Sequence, residues 1–139
     1  MKLLPAAEFA IRGVAVLAEE YGKGPITLNE ICRRRKIAKQ YLVKLFGVLS
    51  RAGLVMPVRG KRGGFMLARD PGRVTLLEVI EAVEGPIAVN FCQYEPPRCD
   101  ELNCPLRPVW GKLQRTIRDT LGSVTMAGFA CAHADSRRE

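Results

Sequence analysis

Histidine is almost absent from this 139-residue chain; the only one is His133, near the C-terminus. With it goes any Ser/His pair. There is also no phosphate-cradling loop before a helix and no pair of carboxylates in a pocket-like motif, so an enzyme is not expected. No apolar run is long enough to span a membrane, and no membrane partner is expected. The opening Met1–Pro5 meets Glu8 and Arg12 too soon for a signal peptide, which makes the cytoplasm the expected location. There, free thiols or metal sites are commoner than disulfides. The five cysteines, an odd number, exclude a complete disulfide framework. Internal repeats and low-complexity tracts are missing too.

What remains is a composition for one compact domain plus a small appendage: 47% apolar and 26% charged residues. The net charge of +8 is unevenly spread. Residues 1–73 hold fifteen Lys and Arg against five Asp and Glu, whereas residues 74–139 hold seven against nine. A basic half of net +10 beside a half of net −2 suggests a polyanion-binding module followed by a module of another kind.

The pattern of elements is mainly helical. Pro5 suits the first turn of a helix, and Phe9, Gly13, Val16, Leu17 and Tyr21 follow helical spacing until Gly22 and Gly24. Thr27-Leu28-Asn29-Glu30 reads as a capping box, with Ile26 and Ile31 as its hydrophobic staple, opening a short helix over about 28–35. After a tight turn at Lys36-Ile37-Ala38, Leu42, Leu45, Phe46 and Leu49 mark the buried face of a third helix. Gly53 is placed to end it, with Leu54 making the accompanying apolar contact. Residues 54–59 and 65–67 read as two short strands joined by Gly60-Lys61-Arg62-Gly63-Gly64. Helix, short helix, turn, helix and hairpin together make a winged helix-turn-helix.

Pro71-Gly72 breaks the chain, and Thr75 to Glu78 forms a second capping box on a helix ending at Gly85. Residues 86–103 show no period and read as a loop. A long helix is expected after Cys104, with Leu106, Trp110, Leu113, Ile117, Leu121 and Val124 forming a seam for packing lengthwise on another helix. Cys131 and His133 fall in a tail, 131–139, that reads as frayed.

The candidate DNA-reading residues follow from this order. Lys39, Gln40, Tyr41 and Lys44 open the third helix, the end of a recognition helix that meets base edges. Arg59, Lys61 and Arg62 sit on the wing, with Gly63 and Gly64 allowing close approach to phosphates. The run Arg33-Arg34-Arg35-Lys36 suits either phosphate contact or a solvated face.

Several words of the sequence resemble the Rrf family of winged-helix transcription regulators, which includes IscR-, NsrR- and RirA-type members. They are Tyr41-Leu42, Leu45-Phe46, Arg51-Ala52-Gly53-Leu54-Val55, Val58-Arg59-Gly60, Gly63-Gly64-Phe65 and Glu81-Ala82-Val83-Glu84-Gly85-Pro86. Three loop cysteines followed by Leu106, Trp110 and Leu113 continue the match to about residue 130. The resemblance implies a homodimer that crosses its long C-terminal helices and binds a palindromic operator in double-stranded DNA, as a repressor or an activator. It divides the chain into a DNA-binding domain (1–85), a cysteine loop (86–104), a dimerisation helix and C-terminal segment (105–130) and the tail.

Cys92, Cys99 and Cys104 are spaced C-x6-C-x4-C within that loop. Three thiolates on a short flexible segment suit an iron–sulfur cluster or zinc, and either needs a fourth ligand. Cys104 is expected at a helix N-cap, where the dipole favours a thiolate, with Arg98 and Arg107 nearby in sequence. IscR-type members carry a histidine where this chain has Arg107. The resemblance to NsrR-type members implies Glu8 of the partner subunit as the fourth ligand, and a 4Fe–4S cluster rather than 2Fe–2S. Cluster assembly would then order residues 86–104 and set the spacing of the two recognition helices. A metal-free thiol-redox regulator and a zinc-containing regulator are the alternatives. Cys32, beside Ile31, reads as a small core residue.

Overall fold

A computed structural model describes residues 4–129; Cys131, His133 and the rest of the tail lie outside them. Five helices and one hairpin follow in the order α1 (Pro5–Glu19), α2 (Leu28–Arg35), α3 (Lys39–Arg51), β1 (Val55–Val58), β2 (Gly64–Leu67), α4 (Leu76–Glu84) and α5 (Arg107–Ser123). Short 3-10 turns occupy Pro71–Arg73 and Phe91–Gln93, the second inside what reads from sequence as an unstructured loop.

Helix α1 is the centre of the core. Ala7, Ala10, Val14, Ala15 and Val16 are fully buried. Small residues here let neighbouring helices come close: a Cβ on Gly13 would lie 2.8 Å from Phe46 Cε1. The helix stops at Glu19, earlier than the sequence period suggests, and Tyr21 is exposed in the following turn. Leu42, Leu45, Phe46 and Leu49 of α3 are all buried, as their spacing predicts. Gly53, at φ +76°, ends α3 in the left-handed conformation. Its N–H donates to Ser50 O at 3.0 Å and the Leu54 N–H to Leu49 O at 3.0 Å. This double closure satisfies carbonyls that the helix end would otherwise leave open.

The hairpin is antiparallel, with Val55 opposite Leu67 and Val58 opposite Gly64. Its second strand continues onto the chain before α2: Phe65 N–H donates to Ile26 O at 2.8 Å, and Ile26 N–H returns the bond to Phe65 O at 3.0 Å. The wing is thereby stitched to the helix-turn-helix, an arrangement with no local sequence signal.

Helix α4 packs on α1 and α3, and α5 on α4. The Thr75 capping box is complete in both directions. Burial pushes the Glu78 carboxyl up, but the Thr75 N–H and the Arg69 guanidinium outweigh it, leaving Glu78 below its ordinary range. After α5 the chain returns to the start of α4: Leu76 N–H donates to Val124 O and Met126 N–H to Val74 O, each at 2.8 Å. Met126 is fully buried, a core residue that no periodicity announces.

The expected seam of α5 is divided by the fold. Ile117 and Leu121 pack against the core, whereas Leu106, Leu113 and Val124 are exposed. No residue of α5 is fully buried in the single chain.

Candidate nucleic-acid interface and cysteine loop

The start of α3 and the wing share one face. Lys39, Gln40 and Lys44 are exposed on the helix; Arg59, Lys61 and Arg62 are exposed on the hairpin. Between them runs a groove of about 470 Å³ lined by Lys39, Arg59, Gly60 and Gly63, with Thr27 and Asn29 from the beginning of α2. Thr27 and Asn29 were not among the sequence candidates. Their signal is the N-cap itself, because the start of a helix beside lysine and arginine suits a phosphate oxygen. Tyr41 is half-buried, its ring 5.4 Å from that of Phe9 in an edge-to-face contact.

Gly63 and Gly64 hold the wing together. A Cβ on Gly63 would meet Val58 O at 2.3 Å, and one on Gly64 would meet Ile26 O at 2.3 Å. The expected close approach is present, but it is to the protein's own backbone.

The arginine run is also committed internally. Arg33 bonds Glu30 at 2.7 Å, Arg34 bonds Glu20 at 2.9 Å and Glu30 at 2.8 Å, and Arg35 pairs with Glu19. The side chains of Arg33 and Arg34 bonding Glu30 hold its carboxyl down at about 2. Glu30 therefore does not close the capping box expected at Thr27. The Thr27 hydroxyl still accepts from the Glu30 N–H at 3.2 Å, but the Glu30 side chain is drawn to the two guanidinium groups.

Cys92 sits in the 3-10 turn, and Cys99 and Cys104 in the following loop; all three are free and half-buried. Cys32 is a fourth free thiol, packed beside the core as its sequence position predicts. Cys104 is not the N-cap of α5. That position belongs to Leu106, and the Arg107 N–H donates to Cys104 O at 3.1 Å. Pro105 and Pro108 flank the helix start and displace it past the cysteine. Among the described residues no three Cys, His, Asp or Glu side chains converge as a metal site. Glu8 is exposed on α1 and bonds Arg12 Nε at 3.1 Å. Arg98 stacks on the Tyr94 ring, its guanidinium carbon 4.0 Å from the ring centre.

In residue type alone the loop cysteines suit a thiolate-bound cluster, although the described structure does not gather them. Three free thiols lie within thirteen residues of one loop. Arg107, three residues after Cys104, carries two nitrogens, Nε and Nη2, that are sealed from solvent and have no hydrogen-bond partner among the described residues. A cationic edge in that state fits a site completed by an anion.

A family model described as Rrf2, iron-dependent transcriptional regulator, matches residues 5–132. The HTH-type transcriptional regulator IscR of Xenorhabdus nematophila is 33% identical over 91% of this chain and 77% of its own length. The structure of CymR, the global cysteine regulator of B. subtilis, superposes with a TM-score of 0.82 at 25% identity, covering 95% of this chain and 98% of that one. The structure of T. potens IscR gives a TM-score of 0.79 at 29% identity, covering 98% and 90%. These relatives are transcriptional regulators rather than enzymes, and the winged-helix fold expected from the sequence is the one they share.

Proposed function

The chain belongs to the Rrf2 family of transcriptional regulators, and on that premise we propose that it is a homodimeric, operator-binding protein controlled by an iron–sulfur cluster on Cys92, Cys99 and Cys104. The observation that carries the reading is the set of three free, half-buried thiols within thirteen residues of one loop. The likeness to IscR supports it. Glu8 of the partner subunit is the proposed fourth ligand, and 4Fe–4S the favoured cluster. Among the described residues Glu8 pairs with Arg12 in an exposed contact worth about 0.3–0.5 kcal/mol and easily exchanged.

DNA is held by Lys39, Gln40 and Lys44 at the major groove, with Tyr41 at the base of the same turn. Arg59, Lys61 and Arg62 follow on the wing, where Gly63 closes the turn against Val58 and Gly64 docks it on Ile26. The dimer forms through the exposed apolar face of α5, where Val109 and Leu113 are 54% and 44% exposed in the single chain.

A cluster held by Cys92, Cys99 and Cys104, with Glu8 of the partner subunit, would supply a redox-sensitive centre. The protein's part is to convert gathering of the three thiols into movement. Cys92 is fixed through its neighbour: Gln93 O accepts from Gln114 Nε2 of α5 at 3.3 Å. Drawing Cys99 and Cys104 toward that point displaces the beginning of α5. The far end of α5 leads into Val124 and Met126, bonded to both sides of the α4 N-cap, and α4 packs on α3. Shifts of α5 thereby reach the recognition helix.

The test is an anaerobic absorption spectrum with iron and sulfide counts on the untagged protein. A brown protein with stoichiometric sulfide that loses its colour in C99A is the expected result. The thiol-switch reading is favoured by the dispersed thiols and the likeness to CymR. A protein that stays colourless after anaerobic reconstitution, and binds no zinc, would leave that reading in place of the cluster.

A further inference from the structure

Val43 is an apolar side chain on the polar face of its helix. The spacing of α3 takes Leu42, Leu45, Phe46 and Leu49 into the core and leaves Val43 outside, 48% exposed among Lys39, Gln40 and Lys44. A lone valine on a surface is ordinary. This one stands three residues after Gln40 and four after Lys39, so its neighbours on the helix surface are the side chains that open the DNA-facing end of α3. Lys39 lines the groove shared with Arg59 of the wing, and Val43 lies one turn further along the same side.

Gly47 marks the same face independently. It lies inside α3, four residues after Val43 and seven after Gln40. Glycine weakens a helix interior, and no left-handed φ requires it here. Packing does not require it either. A Cβ at Gly47 would come within 4 Å only of the Arg51 guanidinium, at an ordinary 3.8 Å, whereas one at Gly13 would press on Phe46 at 2.8 Å. Among the described residues, then, nothing inside the chain uses the missing side chain. Its effect is outward: the helix surface is lowered beside Val43, and a second molecule can come against the valine methyls.

In the major groove the bases differ in donors, in acceptors and in one apolar group, the 5-methyl of thymine. The Gln40 amide carries the donor and acceptor that fit adenine N6 and N7. Val43 has neither donor nor acceptor, and of these groups its methyls match only the thymine methyl. We propose that Val43 is a specificity-determining residue, packing on the 5-methyl of a thymine in each half-site beside the base pair that Gln40 reads. The inference rests on the operator-binding reading above and is independent of the cluster. A cytosine at that position offers Val43 no methyl, and its amino group finds no acceptor on the valine.

The experiment selects an operator from random duplexes with the full-length protein, then replaces each thymine in turn by deoxyuridine, which lacks only the 5-methyl. Affinity is read by fluorescence anisotropy for wild type, V43A and G47L. At one thymine per half-site, deoxyuridine is expected to weaken wild type about fourfold, the factor carried by one buried methyl. V43A is expected to bind the selected operator more weakly and to be indifferent to that same replacement. G47L should unfold in urea no earlier than wild type, since leucine favours a helix over glycine. It is expected to bind about tenfold more weakly, because the added side chain holds the DNA off. A wild type insensitive to deoxyuridine at every thymine, or a V43A as sensitive as wild type, overturns this inference and leaves operator binding in place. A G47L that binds as tightly as wild type overturns it as well. If no sequence is enriched, operator binding and the inference fall together.

Discussion

Gly64 lies so close to Ile26 that a single added carbon would stand 2.3 Å from the Ile26 carbonyl oxygen. That contact, with the paired hydrogen bonds between Ile26 and Phe65, fixes the wing against the beginning of α2. It places Arg59 and Lys39 on the same groove. The obstacle is backbone, which cannot swing aside as a flexible side chain does. G64A is therefore expected to lose about 1–3 kcal/mol of stability by overpacking. Urea unfolding measures this, and operator affinity should fall with it because the wing is displaced. A wild-type urea midpoint would remove the Ile26 contact as the reason for the glycine.

The two sets of basic residues should separate in a salt titration. Lys61 is exposed on the wing, whereas Arg33 is bonded to Glu30. K61A is expected to lower the slope of log affinity against log salt by about 0.9, one phosphate contact, across all DNA sequences. R33A should leave the slope near that of wild type. Equal slopes for K61A and wild type would take the wing tip out of the interface.

Acid stability should carry the signature of Glu30. Its folded carboxyl sits at about 2, against an ordinary 4.5, because Arg33 and Arg34 bond it. A depressed carboxyl contributes stability that is complete above about 4.5 and is lost as pH falls through about 2. Glu78 is shifted in the same direction, so it adds to the same acid slope. Urea midpoints taken between these two pH values should fall more steeply for wild type than for E30Q. Parallel curves would mean that Glu30 is equally protonated in the folded and unfolded chains.

The α5 face offers a test of assembly. Val109 and Leu113 lie four residues apart on α5, exposed and apolar. Aspartate at both positions would have to be buried in the proposed dimer without partners, so V109D/L113D is expected to sediment as a monomer and bind a palindromic site far more weakly. A dimer of unchanged sedimentation would place the interface elsewhere.

Local features of this chain were readable from its residues. The Gly53–Leu54 helix end, the Thr75–Glu78 box and the buried stripe of α3 all depend on groups within a few residues of each other. Where the reading and the structure part, a competing partner has intervened, sometimes near in sequence and sometimes far. Glu30 leaves its expected partner for Arg33 and Arg34, and Arg34 and Arg35 are drawn to Glu20 and Glu19, 14 and 16 residues away. Cys104 yields the helix start to Leu106, a matter of two residues between flanking prolines.

The sequence by itself determined the elements, their order and the basic character of the face formed by α3 and the wing. Periodicity, caps and charge are short-range properties, and they survive any choice of packing. Only the tertiary structure decided that Arg34 and Arg35 turn inward, because their carboxylate partners Glu20 and Glu19 come from the end of α1. It decided that Gly63 and Gly64 sit against the protein's own backbone, and that Arg107 buries two nitrogens with no partner among the described residues. Those facts arise from chain segments that meet only when the core closes.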